Sequence, residues 1–169
     1  GEIKLNNNNI NSFLSEWYSL IGYVPQNFVI LNDQIRRNIA FGCKENEIDN
    51  KKVKDILKKV GLYEFIFKRK KNIYENINPR SNNFSGGQLQ RIAIARALYF
   101  NPEIIIFDEA TSSLDLETEE NLLNTIKNLI GKKTLLIVSH RMNSLKNCNK
   151  IFRVENLNLK EVSKQKLNF

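Results

Sequence analysis

Two runs of four bulky apolar residues, Ile104-Ile105-Ile106-Phe107 and Leu135-Leu136-Ile137-Val138, constrain this chain most strongly. Neither alternates with polar residues, the pattern of a strand buried on both faces in a parallel sheet covered by helices. Between them, Leu116 to Ile130 carries Leu122, Leu123, Ile126, Leu129 and Ile130 at helical spacing and ends at Gly131. Ahead of the first run, a helix opens at Ser85, continues through Gln90, Ile94 and Leu98, and stops at Asn101-Pro102. Gln88 stands three residues after Ser85, at capping-box spacing. Earlier still, Ile21 to Val24 makes a short apolar strand ending at Pro25 and Gln26. Strand, helix, strand, helix, strand predicts an α/β fold with a mostly parallel sheet.

The remaining segments are predicted more coarsely. Glu2 to Leu5 alternates as a strand does, Asn6 to Asn9 reads as a turn, and a weak helix surrounds Phe13 to Trp17. Val53, Ile56, Leu57 and Val60 share a helix face ended by Gly61, and Leu62 to Phe67 starts another helix. Residues 71–83 lack periodicity and are predicted to be a loop; two small strands follow Ile151.

With 169 residues the chain has the size of one ordinary domain, and two cysteines, Cys43 and Cys148, make no disulfide framework. The formal charge of +8 permits nucleic acid, acidic lipid or nucleotide as a partner. The lysines cluster at Lys51, Lys52, Lys54, Lys58 and Lys59, and the cations again at Lys68, Arg69, Lys70 and Lys71. Periodic hydrophobes accompany them without interleaved aromatics, so they are expected to be solvated helix faces, and no nucleic-acid partner is expected. No apolar run is long enough to cross a bilayer.

In parallel sheets, chemistry gathers beyond the carboxyl ends of the strands. Three polar clusters fall there: Gln26, Asp108 with Glu109, and Ser139 with His140. A hard cation bound to phosphates favours carboxylate oxygens. Adjacent carboxylates point in different directions, so Asp108 is expected to face a magnesium ion and Glu109 an attacking water. Gln26 offers an amide oxygen to the ion or its water. His140 is the single histidine; a side chain there is placed to hydrogen-bond a terminal phosphate, although one histidine and two distant cysteines make no zinc site. Ser85, Gly86 and Gly87 open a helix whose first N–H groups are unpaired, a good terminus for phosphate. Taken singly, each feature also has a plain structural reading as a cap, a solvated turn or a surface group. Arg91 and Arg96 are expected either to support phosphate charge or to hold neighbouring loops.

As an ordered set, these motifs resemble the ATP-binding cassette family. Phe84-Ser85-Gly86-Gly87-Gln88 resembles the family signature, with Phe in the usual Leu position, and Gln90 to Leu98 continues it. Ile104 to Asp108 resembles the Walker B strand, Glu109 the catalytic glutamate, Ser113-Leu114-Asp115 the D-loop, His140 the switch histidine and Gln26 the Q-loop glutamine. The text around Val24-Pro25-Gln26 and Ile35 to Gly42 is similar to cassettes fused to exporter-type transmembrane domains, with a flavour of flippases for lipid-linked saccharides.

The resemblance implies a P-loop NTPase cassette with a partial RecA-like sheet core, residues 1–25 and 98–169, and an inserted helical subdomain, 26–97. It implies ATP and Mg2+ as cofactors. Gln26 and Asp108 would hold the metal; Glu109 and His140 would be catalytic; Ser85, Gly86, Gly87, Gln88 and Asp115 would serve nucleotide and the coupling of two sites. Partners would be a second cassette and transmembrane domains fused upstream, at the cytoplasmic face of the plasma membrane.

Some features depart from the family. The sequence holds no Gly-rich loop ending in Lys-Ser or Lys-Thr. Gly1-Glu2-Ile3 is similar to family text just after that loop's helix, so a truncated chain is expected, with poor ATP hydrolysis by itself and apolar sheet surface left exposed. The stretch Tyr74-Glu75-Asn76 to Asn83 differs from the family's Gly-Glu-x-Gly text, Asn149 replaces a common Asp, and Leu157 and Ser163 replace common glycines. A noncatalytic cassette remnant and a soluble ABC ATPase with no transport role are the alternatives.

Overall fold

The structure is a computed structural model and describes residues 1–68, 72–78, 83–110 and 116–164. Arg69, Lys70, Lys71 and the D-loop Ser113-Leu114-Asp115 lie outside the described residues. In chain order the strands are β1 (Lys4–Leu5), β2 (Asn8–Asn9), β3 (Ile21–Val24), β4 (Asp33–Gln34), β5 (Asn76–Ile77), β6 (Ile104–Asp108), β7 (Thr134–Val138), β8 (Phe152–Glu155) and β9 (Asn158–Glu161). The helices are α1 (Leu14–Leu20), α2 (Ile35–Ile39), α3 (Asn50–Lys59), α4 (Tyr63–Lys68), α5 (Gly86–Tyr99), α6 (Leu116–Lys127) and α7 (Met142–Leu145).

The centre is a parallel sheet in the order β3-β6-β7. Tyr23 pairs with Ile106 and Val24 with Phe107, while Ile106 pairs with Leu136 and Asp108 with Val138. This is the expected α/β architecture, consistent with a RecA-like ATPase core. Val24, Ile105 and Phe107 are fully buried, in one hydrophobic cluster with Ile92, Ile94, Ala95 and Leu98 of α5. Helix α5 packs against β3 and against α2 and α3. The approach to β3 is close: a Cβ at Gly22 would stand 2.5 Å from the Ala97 carbonyl oxygen and 2.8 Å from Pro102 Cγ.

The other sheet face is open. Strand β6 alternates between buried and partly exposed residues rather than being buried throughout, and β7 is covered even less. Tyr23, Leu136 and Val138 are 52%, 53% and 46% exposed. The expectation of two-sided burial for the Ile104–Phe107 and Leu135–Val138 runs is thus corrected. Paired residues of parallel strands share a face, and the described helices cover only the face that carries Val24, Ile105 and Phe107.

Two smaller expectations also change. Only Asn6 and Asn7 form the first turn, both with left-handed φ (50° and 67°), and Asn8–Asn9 is the returning strand. A two-residue hairpin turn of this hand suits asparagine, which tolerates positive φ. Within 71–83, Asn76–Ile77 pairs antiparallel with Asp33–Gln34, and Ile73 and Ile77 are buried. This pairing comes from tertiary contact, which local periodicity does not encode.

The lysines of α3 lie mostly on its exposed side, opposite buried Val53, Ile56 and Leu57. Lys52 and Lys58 rest over the rings of Tyr99 and Tyr63 at 4.8 and 5.1 Å. Asp49 caps the helix by accepting from Lys52 N–H at 3.0 Å, and its own N–H donates to Tyr99 Oη of α5 at 3.0 Å.

Candidate functional site

Three loops meet at the carboxyl end of the parallel sheet. Glu109 follows β6 with φ 49°, a left-handed conformation uncommon for a residue with a Cβ. Its N–H donates to the Val138 carbonyl at 2.9 Å, which ties the loop to β7. Such backbone costs of order 1–3 kcal/mol and persists where surrounding contacts fix it. Besides that backbone bond, two contacts on the side chain fix it. Gln26 Nε2 donates to Glu109 Oε2 at 2.6 Å. His140 Nε2 stands 2.9 Å from Glu109 Oε1. The Glu109 side chain is 21% exposed and that of His140 89%. Residues 83 and 31 positions from Glu109 in sequence thus meet at one carboxylate.

Asp108 lies beside this group on the open sheet face, where Tyr23 Oη donates to its Oδ2 at 2.9 Å. This bond to a carboxylate raises the Tyr23 phenol pKa above its ordinary value, with smaller contributions from desolvation and the Asp108 charge. Because Gln26 turns its amide nitrogen to Glu109, its amide oxygen faces away from that bond. Asp108 and Gln26 therefore present oxygen donors only, the chemistry of a hard cation such as Mg2+. Among the described residues, no three His, Cys, Asp or Glu side chains converge as a metal cage. A donor set this small fits an ion that arrives with phosphate oxygens of its own.

The α5 terminus is built as predicted. Ser85 Oγ accepts from Gln88 N–H at 3.3 Å, and Gln88 Oε1 accepts from Ser85 N–H at 2.9 Å. Gly86 has open space around its Cβ position, so the backbone there is accessible to a ligand. Phe84 is buried and meets Phe65 edge-on at 5.6 Å. Ser85, Gly86, Gly87 and Gln88 thus form one capped helix end, while Gln26, Asp108, Glu109 and His140 form the strand-end group.

The two arginines of α5 hold loops. Arg96 donates to Asn38 O (2.8 Å), Val29 O (2.8 Å) and Asn38 Oδ1 (3.1 Å). Burial pushes its guanidinium pKa below the ordinary value. Arg91 donates to Gly61 O at 3.2 Å.

Sequence reasoning missed two contacts. One is the Tyr23–Asp108 bond, for which the signal was Tyr23 alternating with buried Val24. The other is Arg141, next to His140, which pairs through Nη1 with Glu119 Oε2 at 2.6 Å. Glu119 is 4% exposed and also accepts from Ser144 Oγ at 3.5 Å. This pair, with Glu119 buried and Arg141 partly exposed, fastens the His140 loop to α6.

The chain is an α/β domain whose parallel-sheet strand ends gather Gln26, Asp108, Glu109 and His140, and whose helix α5 opens on a capped, glycine-containing turn. Comparison with known proteins narrows this: the ABC transporter family matches over residues 1–112. The chain belongs to the ABC transporter family. An ATP-dependent lipid A-core flippase of Francisella novicida is 39% identical over 133 residues, 79% of this chain and 22% of the flippase. A Rickettsia felis protein, named provisionally as an export ATP-binding/permease protein, is 38% identical over 156 residues, 92% of this chain and 27% of that protein. Among solved structures, a bacterial Atm1-family ABC exporter with ATP bound superimposes with a TM-score of 0.86 at 30% identity, over 99% of this chain and 30% of the exporter. The chain thus spans about a quarter of the length of the curated relatives it matches.

Proposed function

We propose that this chain is the ATP-hydrolysing part of a membrane ABC exporter or flippase. Its 1–25 and 98–169 segments would form the ATPase core and 26–97 the helical subdomain. The observation that carries the reading is the convergence of Gln26 and His140 on Glu109, one residue beyond Asp108. Asp108 and the Gln26 amide oxygen would hold Mg2+, which supplies charge neutralisation for the phosphates of ATP. Glu109 would accept a proton from the attacking water, and His140 would donate to the terminal phosphate. The α5 amides at Gly86 and Gly87, with Ser85 and Gln88, would meet the phosphate of a nucleotide held by a second cassette. Asp115 would link the two sites.

Transmembrane domains would be the further partner, in the same longer protein, with the cassette at the cytoplasmic face of the plasma membrane. No helix among the described residues is long and apolar enough to cross a membrane itself. The names of the flippase and exporter relatives support export or flipping as the work done, and the open sheet face leaves room for an upstream segment carrying the phosphate loop. Nucleic acid is not among the proposed partners.

The test is ATP turnover in the complete protein. Glu109→Gln keeps the side-chain size and removes the base, so phosphate release should fall about 100-fold or more, while ATP remains bound. Unchanged turnover would remove Glu109 from this role.

A further inference from the structure

We propose that Tyr23 is a positioning residue for the metal site: its hydroxyl sets the orientation in which Asp108 meets Mg2+. This rests on the reading of Asp108 given above and adds a residue to which that reading gives no role.

The placement follows from the register. Tyr23 pairs with Ile106 across the parallel β3–β6 ladder, and Asp108 lies two residues further along β6 on the same face. A long side chain on the neighbouring strand reaches such a diagonal position. Tyr23 does so with Oη 2.9 Å from Asp108 Oδ2. The surroundings on that face are apolar: Ile106 beside the ring, and Val138 paired with Asp108 from the other strand.

A carboxylate at a strand end rotates freely about its last torsion unless something holds it. A neutral donor on one oxygen restrains that rotation and leaves the charge in place. Oδ2 is engaged by Tyr23, and Oδ1 has no partner among the described residues. The bond therefore divides the carboxylate into a held oxygen and an open one. Hydrogen bonds of this kind to metal-ligating carboxylates typically matter 10- to 100-fold in metal affinity.

Tyr23 does this without entering the Glu109 group. The neighbouring strand residue, Val24, is buried in the core, so the strand is anchored independently of the hydroxyl. The ring of Tyr23 is half-exposed, and phenylalanine preserves everything except the donor.

The experiment is a metal titration on the complete protein, comparing wild type, Tyr23→Phe and Asp108→Asn. Mn2+ binding in the presence of ATP is read from the Mn2+ electron paramagnetic resonance signal, and ATP binding without metal is measured alongside. Tyr23→Phe should raise the Mn2+ concentration for half-saturation roughly 10-fold, with metal-free ATP binding and the thermal midpoint unchanged. Asp108→Asn should weaken Mn2+ binding further. If Asp108→Asn weakens Mn2+ binding and Tyr23→Phe does not, the positioning role is overturned and the metal site stands. If Asp108→Asn leaves Mn2+ binding intact, the metal site itself is wrong and the role of Tyr23 falls with it. A Tyr23→Phe protein with equal losses in metal-free ATP binding would also overturn the proposal, because the hydroxyl would then act on the fold.

Discussion

Glu109 concentrates the chemistry of this chain in one side chain with two engaged oxygens and a left-handed backbone. The candidates Gln26, Asp108, Glu109 and His140 were legible because each follows an apolar run, and strand ends in a parallel sheet converge. Their partners were not legible. Nothing local marks Glu119 as the buried mate of Arg141, since the pair joins α6 to the loop after β7. Arg141→Ala would leave the Glu119 carboxylate buried without its cation. It should cost about 1–3 kcal/mol in denaturant unfolding and lower turnover through His140; a loss under about 0.5 kcal/mol would make the pair a surface contact energetically.

Cys148 gives a pH test at the same scale. Burial pushes its thiol pKa up, and Lys164 opposes this in part. A group whose pKa is higher in the folded state contributes stability below its unfolded pKa, and that contribution disappears as pH rises through the folded value. Iodoacetamide labelling of Cys148 in a Cys43→Ser protein should have its pH midpoint above that of the denatured chain. Equal midpoints would contradict the burial of this thiol.

Among the elements, strands and helices with strong periodicity were readable, and those defined by partners were not. Helix α5 announced itself by Ser85, Gln88 and its terminal Asn101, which has φ 54°. Strand β5 did not, because two residues, Asn76 and Ile77, become a strand only by pairing with Asp33 and Gln34. The apolar runs of β6 and β7 predicted strands correctly but predicted too much burial, since an unbroken apolar run reports no coverage by itself.

The packing of α5 carries two further expectations. Gly22→Ala forces a methyl against the Ala97 carbonyl, a backbone group that cannot move aside alone. The substitution should cost about 1–3 kcal/mol, read as a lower thermal midpoint; a neutral result would show that β3 and α5 separate easily. Arg96→Met keeps the stem and removes three hydrogen bonds to Val29 and Asn38. It should cost about 2 kcal/mol and accelerate amide exchange in residues 28–38, the stretch between Gln26 and α2. Unchanged exchange there would show that Asn38, which bonds Leu31, Asp33 and Gln34 by itself, suffices to hold it.

At the scale of the molecule, the sheet is covered on one face and, among the described residues, open on the other, and the site at its end has carboxylates, an amide and a histidine but no phosphate loop in its sequence. The 169-residue chain alone should therefore turn over ATP poorly, since the lysine and amide cradle of such a loop supplies much of the phosphate binding. Robust turnover by the isolated chain would contradict this division of labour.

The account depends most on two ends of the chain's architecture serving nucleotide: the strand ends at Asp108 and Glu109, and the helix opening at Ser85. A cryo-electron microscopy structure of the complete Glu109→Gln protein trapped with Mg-ATP measures both at once. It should show Asp108 beside the metal of one nucleotide, and the Ser85–Gly87 amides within hydrogen-bond distance of the terminal phosphate held by the other cassette. A trapped structure with the Ser85 helix end remote from any phosphate would contradict the account.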